Sequence, residues 1–142
     1  MQKVIEKAFT QYGITEIKGT TQNNPFILKY FEDIGQEWVK NDETAWCAAF
    51  ANWCLKNSGY EWQSKLNARS FLDLGWEPKE PKLGDVVILW RESKQSWKGH
   101  VGFFIRANDR YIYMLGGNQN NQVNIKAYDK NRLLGYRRLK EI

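Results

Sequence analysis

The spacing of apolar residues changes character once along the chain, near Pro81, and that change limits the folds open to it. Before Pro81, apolar residues recur at intervals of three and four. Val4, Ile5, Ala8, Phe9 and Tyr12 predict a helix over 2–12 that Gly13 closes. Asn24 and Pro25 offer a cap and a first-turn proline to a second helix, with Ile27, Phe31, Ile34 and Trp38 on one face. The polar run 41–44 offers caps to a third that stops at Gly59, its apolar face carrying Cys47, Phe50, Ala51, Cys54 and Leu55. A further short helix is expected over 67–72. After Pro81, the runs 86–90, 101–105, 111–115, 122–127 and 133–138 are separated by Gly, Asn and Asp and read as antiparallel strands. The expectation is one α+β domain over 1–142, with N-terminal helices (1–80) packed on a C-terminal antiparallel β-sheet (81–142).

The formal net charge of +5 favours an anionic partner, such as nucleic acid or a cell wall. No RNP-like, helix-turn-helix or zinc-finger pattern supports nucleic acid. No run approaches the roughly 18 apolar residues of a membrane span, and Met1–Lys7 lacks the apolar core of a signal peptide. Synthesis in the cytoplasm without a signal peptide and no membrane insertion are therefore expected. Cys47 and Cys54 lie seven residues apart on one predicted helix, about 10 Å at the helical rise, so no disulfide joins them. A zinc site needs three or four converging ligands, which the sequence does not supply, so no metal and no cofactor are expected. The protein is read as a monomer.

The chemistry-bearing pair is Cys47, at the start of a helix, and His100, the chain's one histidine, on a predicted strand. A cysteine attacks as the thiolate, which helix-start amides favour and a neighbouring imidazole completes by taking the proton. A lowered Cys47 pKa and rapid alkylation are the corresponding expectations. The amide of Cys47 can serve an oxyanion, and Asn41 or Asp42 can add a side chain there, although capping suits either better. The base needs a third group to fix its tautomer. The next strand leads into Gly116-Gly117-Asn118-Gln119, where Asn118 is the first choice and Gln119 the second; an ordinary turn is the alternative for this segment. Trp46 and Trp97 are candidates for a substrate-binding wall, Trp97 because it stands in a polar loop just before His100. Cys54 reads as a core residue.

Trp46-Cys47-Ala48-Ala49-Phe50, Gly84-Asp85 before a strand, Gly99-His100-Val101-Gly102-Phe103, Gly116-Gly117-Asn118-Gln119 and Leu134-Gly135-Tyr136-Arg137-Arg138 together resemble the NlpC and CHAP group of papain-like bacterial cell-wall hydrolases, over roughly residues 41 to 138. The resemblance implies a papain-like fold and a thiol amidase or endopeptidase cleaving peptidoglycan in the stem peptide or at the lactyl–alanine linkage, with Cys47 as nucleophile and His100 as base. Many members place an aspartate, a glutamate or a second histidine near the nucleophile or in the third position, where this chain offers Asn118 and Gln119. Such domains occur in phage lysins and in antibacterial effectors, acting in the periplasm or wall after holin release or secretion-system delivery. Peptidoglycan is then the partner, and an immunity or inhibitor protein is left open. The rival readings are a non-catalytic basic module binding wall or nucleic acid, and a papain-like thiol transferase or deconjugase.

Overall fold

The computed structural model describes residues 1–17, 23–40 and 45–142. Helix α1 spans Gln2–Phe9 and buries Val4, Ile5 and Ala8. It is shorter than the periodicity predicts: beyond Thr10 the amides of Gln11 and Tyr12 reach back three residues instead of four, which tightens the end into turns. Helix α2 spans Pro25–Asp33, its Asn24 side chain accepting from the Phe26 amide as the sequence leads one to expect. It ends before Trp38, which is 69% exposed and not on its buried face.

Helix α3 spans Cys47–Ser58 and stops where Gly59 turns left-handed at φ +82°. Trp46 is its N-cap and supplies no side-chain hydrogen bond, so the amides of the first turn are left to other acceptors. The predicted caps over 41–44 lie outside the described residues. A 3₁₀ segment, Ala68–Asp73, replaces the expected short helix, with Asn67 accepting from the Arg69 amide.

Strands β1 (Val86–Trp90), β2 (Gly99–Ala107), β3 (Tyr111–Gln119), β4 (Gln122–Asp129) and β5 (Leu133–Arg137) form one antiparallel sheet in the order β4-β3-β2-β1-β5. Period-two alternation divides its residues between two apolar clusters. Val86, Ile88, Val101, Phe103 and Leu115 face the helices. Val87, Leu89, Phe104, Ile112, Met114 and Tyr128 pack on the other side. Helices first and sheet second is the expected α+β arrangement.

One local feature brings α3 and the sheet together, and a second ties the ends of the sheet to each other. A Cβ on Gly117 would stand 2.7 Å from the Trp46 ring and 2.8 Å from Phe50, so only glycine lets the start of α3 lie against the end of β3. The second is the Gly84-Asp85 pair. Asp85 is fully buried and takes a two-pronged grip from Arg138, Nε to Oδ1 at 2.9 Å and Nη2 to Oδ2 at 2.7 Å. Oδ2 also accepts from the Lys82 amide at 2.7 Å. The pair joins the entry of β1 to the chain leaving β5. Removing the cation leaves a carboxylate buried without its partner. Arg138→Met should therefore lower the unfolding free energy by about 3 kcal/mol, a loss that urea titration reads; a loss below about 1 kcal/mol would show that Asp85 finds another partner.

Candidate active site

Cys47 occupies the first position of α3 and is 6% exposed. The backbone amides of Val101 and Ala48, and its own, are near enough to favour its charged form. The Val101 contact sets the thiol against β2 one residue from His100. His100 is 5% exposed. No hydrogen bond joins the thiol to the imidazole among the described residues. Catalytic hydrogen bonds are often loose before substrate binds, so the informative observation is that the helix carrying the thiol is packed on the strand carrying the histidine.

The ring's orientation is set from the opposite side. His100 Nε2 lies 3.0 Å from Gln119 Oε1. The Gln119 amide cannot be turned over, because its Nε2 donates to the backbone oxygens of Asn124 at 2.8 Å and Met114 at 3.2 Å, and to Asn124 Oδ1 at 3.1 Å. Oε1 is thereby held toward the ring as an acceptor, which places the imidazole proton on Nε2 and leaves Nδ1 as the free acceptor. Tyr128 Oη stands 3.2 Å from the same nitrogen, and the two rings tilt together with centroids 5.2 Å apart.

Gln119, the second choice from sequence, is the residue the structure brings to the ring. Asn118 makes no hydrogen bond to His100 among the described residues. The reason is a one-residue bulge: β3 pairs with β4 as Gly116↔Asn124 and then as Gln119↔Gln122, so an extra residue lies in β3, where Asn118 adopts φ +59°. Alternation shifts by one, and residue 119 takes the direction that 118 would have had. Gly116-Gly117-Asn118-Gln119 is thus strand, not turn. The turn is the two-residue Asn120-Asn121 hairpin, with φ +54° and +64°.

Trp46 does not line a cleft. It is fully buried, its Nε1 donates to Glu16 Oε1 at 2.8 Å and its ring stacks near Tyr30, because the α3 start is pressed onto the sheet. Trp97 is 71% exposed and, with Ala45, Cys47, Asn67, Arg91 and Lys98, lines a hollow of about 210 Å³ beside the thiol. Arg69 is no free fork: its guanidinium donates to the backbone oxygens of Lys98, Lys94 and Ser93 and braces the β1–β2 loop. Arg137 donates to the Leu72 and Tyr136 oxygens. Cys54 is fully buried, and both thiols are free. Asn41 and Asp42 lie outside the described residues. Sequence reasoning missed Tyr128 and Arg91; alternation along β4 places Tyr128 on the Met114 face, but no motif singles it out.

Burial decides the charge state of the pair. It raises the Cys47 thiol above its ordinary pKa, outweighing the three amides and the field of Arg91. It also lowers His100 to about 4, against the opposing hydrogen bond from Gln119 and with the help of Arg132, Arg91 and Lys126. The resting pair is therefore thiol and neutral imidazole, which reverses the expectation of a lowered cysteine pKa. Among the described residues no three His, Cys, Asp or Glu converge as metal ligands, and no helix is long and apolar enough to cross a membrane.

The CHAP domain family model matches residues 39–118, which include Cys47 and His100 and end one residue before Gln119. A crystal structure of a Staphylococcus aureus protein, described as similar to lipoprotein, NLP/P60 family, superposes with a TM-score of 0.55 at 17% identity, over 99% of this chain and 41% of that one. The likeness is one of fold, and this chain spans less than half the length of that protein. No curated protein matches the chain by sequence.

Two outcomes follow from the neutral pair. Iodoacetamide should alkylate Cys47 more slowly at pH 7 than it does a free model thiol, with the rate still climbing above pH 9; a rate faster than the model thiol would mean a preformed thiolate. His100 has a lower pKa folded than unfolded, so the unfolded chain takes the proton first. The stability it confers is complete above about pH 6.5 and is lost as pH falls toward 4, by about 3 kcal/mol. Urea titrations at pH 7 and pH 4 should show that extra loss in the native chain relative to His100→Gln.

Proposed function

Because the chain belongs to the CHAP domain family of peptidoglycan hydrolases, with a papain-like α+β fold, we propose that it cuts an amide bond of peptidoglycan, in the stem peptide or at the lactyl–alanine linkage. The observation that carries this reading is the locked Gln119 amide, which orients His100 with Nδ1 free on the strand against which the helix-start thiol is packed. In this mechanism Nδ1 takes the Cys47 proton as the sulfur attacks the carbonyl carbon, so the ion pair forms with the reaction and not before it. The oxyanion meets the uncapped amides at the start of α3. The imidazolium then gives its proton to the leaving amine, and a water activated by His100 releases the acyl group from sulfur. Gln119 keeps the ring from turning through the cycle.

An amide substrate, as opposed to a glycosidic one, is supported by the linings of the two hollows flanking the pair: among the described residues neither contains an aspartate or glutamate. A glycosidase needs two carboxylates facing one sugar bond. The net charge of +5 suits an anionic wall. Delivery as a phage lysin or as an antibacterial effector belongs to the same proposal; expression in a bacterial cytoplasm should then be tolerated, and periplasmic targeting of the same chain should lyse the cells.

Mass spectrometry of purified peptidoglycan after incubation should show released stem peptides or new amino groups without new reducing sugar ends. Cys47→Ala should abolish that release, whereas Cys54→Ala, a trimmed core thiol, should retain most of it at some cost in stability. Gln119→Ala should lower kcat by up to ~10⁴-fold, the scale set by replacing the orienting group of a triad. New reducing ends alone, or equal loss in folded Cys47→Ala and Cys54→Ala, would overturn the reading.

A further inference from the structure

A second hollow, of about 470 Å³, is lined by His100 and shares Arg91 with the Trp97 hollow, and its lining is cationic. Arg91 enters from the end of β1, Lys126 from β4 and Arg132 from the short turn before β5. None of the three pairs with a carboxylate among the described residues, where the ion pairs are Lys3–Glu141, Lys98–Glu92 and Arg138–Asp85. Lys126 Nζ rests 3.3 Å from Asn120 Oδ1 and 5.3 Å from the centre of the Tyr128 ring. Arg132 donates Nε to the Trp90 oxygen at 3.2 Å and lies 5.2 Å from the same ring centre, which leaves its outer nitrogens open. Three like charges gathered round one buried tyrosine repel one another, and nothing in the lining offsets them.

We propose that this hollow binds an oxyanion carried by the substrate, a carboxylate or a phosphate, held by Arg91, Lys126 and Arg132. Guanidinium forks match the planar oxygens of either group, and the lysine adds a point charge. As a subsite of the cleft, the assignment rests on the hydrolase reading, since Arg91 borders both hollows and links the anion to the scissile bond. It adds a requirement that the reading does not contain: the favoured substrate carries an anionic group on the His100 side of that bond. The same three cations disfavour the charged imidazole, so a bound anion favours it.

The chain's one histidine makes the site directly observable. The probe is the His100 Cε1–H resonance in Cys47→Ala, which removes hydrolysis from the measurement, titrated with inorganic phosphate and separately with succinate at fixed ionic strength. Either anion should shift the resonance saturably and move its titration midpoint upward, and the tighter of the two identifies phosphate or carboxylate as the group recognised. Arg132→Gln and Lys126→Gln should each weaken binding about tenfold, while Lys29→Gln, an exposed cation on α2, should leave it unchanged. With wall fragments, Arg132→Gln should raise KM with little change in kcat. A response no greater than that to sodium chloride, or an affinity in the Lys126 and Arg132 variants equal to that of the Cys47→Ala parent, would overturn the site. Anion binding in a chain that hydrolyses no wall amide would retain the site and reject the hydrolase reading.

Discussion

Everything at the site depends on how closely the first turn of α3 approaches the sheet. Gly117 sets that distance, because Trp46 and Phe50 occupy the space its side chain would need. The approach brings the thiol to the Val101 amide and also removes it from water. The two effects oppose each other. Amides and dipole favour the thiolate, desolvation favours the thiol, and burial outweighs three hydrogen bonds. A helix start thus does not ionise the cysteine at rest here; in the proposed mechanism it is a preformed seat for the charge that appears on the substrate oxygen.

The fold, and the places of Cys47 at a helix start and His100 on a strand, were legible in the sequence because each rests on a local signal. Helical spacing before Pro81 and period-two runs after it gave the layer order, and Cys47 and His100 followed from residue type and position. Strand ends were read short. The runs at 101–105 and 111–115 extend to Gly99–Ala107 and Tyr111–Gln119, since glycines and polar residues continue the ladder where neighbours supply hydrogen bonds. The third group lay beyond local reading. Choosing between Asn118 and Gln119 requires knowing that β3 carries an extra residue against β4, and a bulge is a property of a pair of strands. Trp46 failed as a substrate residue for a related reason, because its burial depends on Glu16, Tyr30 and Gly117, all distant in sequence.

The family resemblance and the geometry support different parts of the account. The CHAP match over 39–118 identifies the family, and the NLP/P60 superposition the fold. The particular hydrogen bonds belong to this chain. A buried amide, itself held by three acceptors around Asn124 and Met114, stands where an ionised side chain would otherwise bring a charge into the protein interior. An amide fixes the tautomer as well as a carboxylate does and adds no charge, so it stabilises the imidazolium less. Burial therefore carries His100 low on the pH scale against the weaker opposition of the Gln119 bond, and Arg132, Arg91 and Lys126 lower it further.

The bulge in β3 has an evolutionary consequence. Which side chain steers the histidine is decided by strand register, so the loss of one residue between Gly116 and Gln119 would remove the bulge and still leave Gln119 opposite Gln122, two residues after Gly116 instead of three. Descendants of such a chain can lose the bulge by a single-codon deletion and keep their orienting residue. Aligned by columns, they would look as though the third group had wandered, while in space it had stayed where it was.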